Sequence, residues 1–239
     1  MLPLKNWLAL PETQRVKNTP KGRRYSVEFF REPLVSVYNR PEMFLAPADG
    51  IVIYAHPRVK PDESIVVVKG RKFTPRDLLD DKEYSSESIS IGIYMTELDV
   101  HVNRCPTSGY LTEVHKTPQL FTHNYSMVLE QDDLLHGKGS HPNDMEYLFP
   151  NERVITGVYS SKLKLKYYII QIAERDIDSI SNWAYEMHQQ GEKFGQVRYG
   201  SQVDLLIPLK PNEDRFEVLA KINHHVQAGI DAIVKVKNV

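Results

Sequence analysis

Three short segments hold residues whose types could do chemistry. They are Asp49 in Ala46-Pro47-Ala48-Asp49-Gly50, His101 in Asp99-Val100-His101-Val102-Asn103-Arg104-Cys105-Pro106, and Ser201 in Arg198-Tyr199-Gly200-Ser201-Gln202-Val203-Asp204. A carboxylate can orient and charge-stabilise an imidazole, and an imidazole can move protons near neutral pH. A hydroxyl can attack a carbonyl once a base takes its proton. Taken alone, each residue also has a plain structural reading. Pro-Ala-Asp-Gly makes a turn without any chemistry, and His101 lies in an alternating stretch where a hydrogen-bonded histidine is ordinary. Cys105, the single cysteine, reads as a small packing residue before proline. His136 and His141 share a polar loop and His224-His225 form a pair, all without a carboxylate or thiolate at ligand spacing. They read as solvated loop histidines, and no metal site is expected.

The elements that must position these residues are mostly strands. Ile51 to His56, Ser64 to Val68 and Ser88 to Met95 read as strands, the last with Ile89, Ile91 and Ile93 alternating with small residues. Lys162 to Ala173 alternates and then turns continuously apolar, as a strand does on entering a core. Val197 to Ile207 and Ile230 to Val236 complete the β set. Helix signals are few: Thr74-Pro75-Arg76-Asp77 offers a capping threonine, a proline for the first turn and an aspartate for the dipole. Ile180 to Met187 fits helix or strand by periodicity. Gln131 to Asn143 reads as a long polar loop.

Composition narrows the classes. Thirty basic and 31 acidic residues leave a formal net charge of −1 over 239 residues, with 41% hydrophobic residues. That suits an ordinary globular domain and gives no global positive field to gather nucleic acid. One cysteine cannot form an internal disulfide and suits a reducing compartment. No apolar run approaches the roughly 20 residues that span a bilayer, and the amino terminus lacks the continuous apolar stretch of a secretory signal. A cytoplasmic protein is expected. Met1 to Arg40 holds eight Lys/Arg against three Glu, so this basic lead with Trp7 and leucines either lies on an anionic membrane surface or packs on its own domain. No Walker loop, dinucleotide glycine fingerprint, HExxH helix or GxSxG elbow is present.

In order along the chain, EFFREPL (28–34), LAPADGIV (45–52), YMTELDVHVNRCPTSG (94–109), PNERV (150–154), IIQIA (169–173) and GEKFGQVRYGSQVDLLIP (191–208) resemble the blocks of the phosphatidylserine decarboxylase family, in particular its short members without a membrane anchor. The resemblance implies a β-rich α+β fold with barrel-sandwich elements similar to biotinyl and lipoyl carrier domains and few short helices. It also implies a strand for Ile180 to Met187 and a β-turn-β end for Phe216 to Val236. Residues 1–24 would form the basic lead and 25–239 a single decarboxylase domain.

The same resemblance implies a cofactor made from the chain itself. Ser201 would attack the Gly200 carbonyl, and the ester so formed would eliminate and hydrolyse to a pyruvoyl group. A β chain of residues 1–200 and an α chain of 39 residues would result. The pyruvoyl ketone would form a Schiff base with the amine of phosphatidylserine at a membrane surface, giving phosphatidylethanolamine and CO2 without metal or PLP. His101 matches the family histidine that returns a proton to the substrate, and Asp49 the aspartate of the self-cleavage triad. Long members carry a second histidine where this chain has Arg104, which leaves the base for self-cleavage among residues such as His115 and His123. Arg104 is expected instead to hold a substrate carboxylate or phosphate. The acidic run Glu174 to Ser179 stands where the family is basic, which keeps a soluble amino acid open as substrate, and a non-processing binding domain of the same fold is the third reading. Homo-oligomerisation is left open.

Overall fold

The computed structural model describes residues 1–33, 39–117, 124–174, 179–183, 186–198 and 200–237. Within them the chain is strand-rich, with short helices. The strands are β1 (Leu2–Pro3), β2 (Met43–Leu45), β3 (Gly50–Val59), β4 (Val66–Val68), β5 (Arg71–Phe73), β6 (Ser88–Met95), β7 (Val102–Arg104), β8 (Gly109–Lys116), β9 (Arg153–Ser160), β10 (Leu165–Ala173), β11 (Ile180–Asn182), β12 (Met187–His188), β13 (Lys193–Val197), β14 (Ser201–Pro208), β15 (Phe216–Val218), β16 (His224–Val226) and β17 (Ala232–Val236). The α-helices are α1 (Leu4–Leu8), α2 (Pro11–Lys17), α3 (Lys21–Ser26), α4 (Pro75–Leu79) and α5 (Val128–Leu135).

Nine strands form one antiparallel sheet in the order β1-β16-β3-β6-β14-β10-β9-β8-β12. Alternation sends successive side chains to opposite faces, and each face is covered by its own core. Ile51, Tyr94, Ile170 and Ile172 pack on one side with Leu4, Trp7, Leu78 and Leu134 from the helices. Ile91, Ile93, Val203 and Leu205 pack on the other side with Phe44, Phe194 and Val234 from the smaller sheets. β6 and β14 lie in the middle, and every residue of β6 is buried.

Ser88 to Met95 is a strand as its alternation predicts, and Thr74 forms a full capping box with Asp77 at the start of α4. Three expectations need correction. Val197 to Ile207 is not one strand: β13 ends at Val197 in a three-stranded sheet, and β14 begins at Ser201 in the large one, so the chain changes sheets across residues 198–200. Gln131 to Asn143 is not all loop, because α5 continues through Leu135 and buries Glu130 and Leu134. Ile180 to Met187 divides between β11 and β12, which belong to different sheets, with residues 184 and 185 outside the described set.

The basic lead is folded into α1, α2 and α3. Leu4, Trp7 and Val16 are buried in the domain, while Leu2 and Leu10 stay exposed. Among the described residues no helix is long and apolar enough to cross a membrane.

Candidate active site

Ser201 opens β14 opposite Met95 of β6 and Ala173 of β10. It is fully buried, and among the described residues its hydroxyl has one hydrogen-bond partner, the Met95 thioether at 3.1 Å. A thioether is a weak acceptor, so the hydroxyl is held without being committed. Met95 Sδ also receives the Asn103 amide at 3.6 Å, and Asn103 Oδ1 accepts from Gln171 at 2.8 Å. On the opposite face of β14, Tyr147 donates to Gln202 at 2.7 Å, and Gln202 donates to Asp204 at 2.8 Å. Tyr54 also donates to Asp204. Burial pushes the Asp204 carboxyl up to about 7, against the hydrogen bonds from Tyr54 and Gln202. This network pins the strand that presents Ser201. Gly200 precedes it, and a Cβ there would lie 2.4 Å from the Glu174 carboxylate. That is the movable end of a side chain, so Gly200→Ala should fold with little loss of stability.

His101 is fully buried beside the chain that leads to this serine: its carbonyl accepts from Val197 N at 3.1 Å. Its ring stacks on Phe29 with centroids 3.8 Å apart and planes 19° apart, and Nδ1 lies 3.2 Å from the Asp99 carbonyl. Burial lowers its pKa to about 4, Arg31 adding to the effect and Asp99 opposing it. The imidazole is therefore neutral at physiological pH.

Asp99 turns back on Thr96, whose N–H and hydroxyl donate to Oδ2 at 2.8 and 2.7 Å, and His225 Nε2 donates to Oδ1 at 2.7 Å. Burial would raise the Asp99 pKa, but His225 and the Thr96 hydrogen bonds outweigh it and hold the carboxyl below its usual value. Trp7 covers His225 in a parallel stack at 4.3 Å. The solvated-loop reading of His225 is thus corrected: on β16 its neighbour His224 turns outward and His225 inward, into a buried hydrogen bond with Asp99. Asp99→Asn should cost about 1–3 kcal/mol of unfolding free energy, because it removes a buried carboxylate that accepts hydrogen bonds from the Thr96 N–H, the Thr96 hydroxyl and His225. The contribution of a lowered carboxyl is present above its unfolded pKa of about 4 and is lost as pH falls through the folded value. Denaturant unfolding of both chains at pH 7 measures this cost, and equal midpoints would refute it.

Asp49 follows β2 at the entry to β3, where it accepts from Ala228 N at 2.8 Å. Gly50 beside it is dictated by close approach, since a Cβ would lie 2.2 Å from the Tyr94 carbonyl. Burial pushes the Asp49 carboxyl up to about 6; His225 opposes this, and Asp99 adds to it. Asp49 and Arg104 line one small cavity with Arg31 and Lys193, and Arg104 Nη1 donates to the Gly191 carbonyl at 2.8 Å. Arg104 also reaches an open cleft of about 590 Å³ lined by Trp183, Gln190 and Lys193. A separate cavity of about 510 Å³ around Phe149 and Arg153 shares none of these residues.

The structure therefore brings Asp49 together with Arg104 and Arg31, and Asp49 and Arg31 beside Asp99 and His225, while His101 is tied to Val197 at the end of β13 and Ser201 opens β14. It does not bring His115 to Ser201: His115 is exposed on β8, three strands from β14, with Nε2 3.8 Å from the Asp80 carboxylate. His123, Tyr199 and residues 175–178 of the acidic run lie outside the described residues. His225 is also three strands from β14, and its row (His225, Ile51, Tyr94, Gln202) points to the face opposite Ser201. Sequence reasoning missed Asp99, His225, Arg31 and Phe29. Asp99 and Phe29 lie inside the quoted blocks and could have been singled out there; only tertiary contact reveals His225 and Arg31.

The sequence model of the family described as phosphatidylserine decarboxylase matches residues 24–234. The chain is similar to a phosphatidylserine decarboxylase proenzyme of Chlorobium limicola, 26% identical over 213 residues that cover 88% of this chain and 79% of the relative. It is likewise similar to one of Pelagibacter ubique, 28% identical over 207 residues covering 87% and 78%. A putative archaetidylserine decarboxylase proenzyme of Methanopyrus kandleri is 24% identical over 216 residues covering 87% and 81%.

Proposed function

This chain belongs to the phosphatidylserine decarboxylase family, and from that premise we propose a self-processing, pyruvoyl-dependent enzyme that converts phosphatidylserine to phosphatidylethanolamine and CO2 at a membrane surface. The observation that carries the proposal is the buried Gly200-Ser201 pair at the point where the chain crosses between sheets, with a hydroxyl bonded only to a thioether among the described residues. Such a hydroxyl is free to turn on the preceding carbonyl, and the crossing breaks the ladder that would otherwise hold that carbonyl in an extended strand.

In the processing step Ser201 Oγ bonds to the Gly200 carbonyl carbon and the Ser201 nitrogen leaves, giving an ester. Loss of the Ser201 α-proton then expels the Gly200 carboxylate, and water replaces the nitrogen, which departs as ammonia. The residues at 200 and 201 fit this chemistry: the product would be a small group in a site shielded from bulk water. When present, the pyruvoyl ketone condenses with the substrate amine and takes up the electron pair released with CO2. His101 supplies the proton traffic: a neutral imidazole can take a proton from the incoming ammonium and return it to the α-carbon. With Arg104 in the place of a second histidine, the proposal gives His101 the assistance of Ser201 as well. Arg104 and Lys193 hold the acidic groups of the headgroup at the mouth of the cleft, and Asp49 balances them.

The basic lead reaches a bilayer in this reading through the exposed Leu2 and Leu10, because Leu4 and Trp7 are occupied in the core. The test is CO2 release from vesicles containing phosphatidylserine compared with release from free serine. Release from the vesicles supports the proposal. Release from the free amino acid alone would make the substrate a soluble amine and overturn the lipid assignment.

A further inference from the structure

We infer that Phe29 is a positioning residue for the reaction: its ring and main chain, together with the Asp99 carbonyl, hold His101 in one orientation and one tautomer, with Nε2 kept as a bare proton acceptor. The inference rests on the reading of His101 as the proton carrier and adds how that carrier is set.

Three contacts converge on the imidazole. Its own main-chain N–H donates to the Phe29 carbonyl at 2.7 Å, its ring lies flat on the Phe29 ring at 3.8 Å, and Nδ1 sits 3.2 Å from the Asp99 carbonyl. A carbonyl only accepts, so Nδ1 must carry the ring proton, and in a neutral ring Nε2 is then a lone pair. Among the described residues Nε2 is buried without a hydrogen-bond partner. Native interiors satisfy most buried polar atoms, and an orphan acceptor calls for an explanation; a proton in transit supplies one here. The geometry is rigid because Phe29 is itself held. It is 1% exposed, edge-on to Tyr25 at 5.0 Å, and lies in the turn Glu28–Phe30 that Glu28 ties to Arg15 at 2.8 Å.

The charged groups that face the imidazole are Asp99 from its own loop and Arg31 from the segment that carries Phe29. Burial is the leading cause of the lowered His101 pKa, so loss of the Phe29 ring, which would admit water to the imidazole, should raise it.

The test uses the whole chain in two forms. In uncut Ser201→Ala protein, nitrogen NMR of the imidazoles at pH 7, with His101 assigned by the signal lost in His101→Ala, should show His101 as the Nδ1–H tautomer. Adding Phe29→Leu should produce a tautomer mixture and raise the ionisation midpoint by about one pH unit, whereas Phe29→Tyr, which keeps the ring, should leave both unchanged. In processed enzyme, Phe29→Leu should lower kcat about 10-fold with KM unmoved and shift the acid limb of the pH profile upward, and Phe29→Tyr should restore both. An Nε2–H tautomer in the uncut protein would overturn the inference, with no Phe29 variant required. A Phe29→Leu protein with parental tautomer and pH profile would overturn it too. The NMR arm does not involve decarboxylation, so failure of the proposed activity with the Nδ1–H tautomer intact would count against the function and not against Phe29.

Discussion

Ser201→Ala is expected to remain one uncut chain of 239 residues, with no carbonyl-reactive terminus and no CO2 release above background. Alanine has no oxygen to bond to the Gly200 carbonyl, so neither the ester nor the group derived from it can form. The substitution is structurally mild because the hydroxyl gives up one hydrogen bond to a weak thioether acceptor, and the stability change should stay within about 1 kcal/mol. The loss is therefore read as chemistry and not as unfolding, provided the unfolding midpoint is recorded on the same sample. A Ser201→Ala chain that is still cut at residue 200 would remove Ser201 from the mechanism.

His101→Ala is expected to be cut more slowly than the parent and, once cut, to release CO2 about 10²- to 10⁴-fold more slowly, the usual range for loss of a positioned acid or base. The fall should appear in kcat, because the proposed function assigns substrate recognition to Arg104 and Lys193 at the mouth of the cleft and proton transfer to the imidazole. Removing the ring also opens a space beside Phe29 and relieves the buried orphan nitrogen, and these act on stability in opposite directions. Single-turnover CO2 release from fully cut protein separates the two stages. A cut His101→Ala protein with parental kcat would exclude the imidazole from proton transfer.

Much of the scaffold was legible because core strands carry period-2 alternation or short continuous apolar runs. The alternating Ser88 to Met95 and the continuously apolar later part of Lys162 to Ala173 are β6 and β10, and the Thr74 capping box marks α4 from local chemistry alone. The short helices were not legible: α1, α2 and α3 run five to seven residues, too few for a 3.6-residue period to show. α5 is half polar, with four consecutive polar residues at its centre, and of its residues Glu130 and Leu134 are buried. The break between Val197 and Ser201 was not legible, since the flanking strands KFGQV and SQVDLLIP both mix polar and apolar residues and only their sheet partners differ. The site followed the same division. Asp49, His101, Arg104 and Ser201 stand in short blocks with a distinctive order, whereas the Asp99–His225 pair joins residues 126 positions apart, and nothing local ties them together.

The most direct test of self-processing is the intact mass of the purified protein under denaturing conditions, with and without a carbonyl-reactive reagent. Two chains are expected, of 200 and 39 residues, with one reactive carbonyl on the smaller. A single 27.6 kDa chain after long incubation, without a reactive carbonyl, would contradict it, and the roles assigned to Asp49, His101 and Ser201 would fall with it.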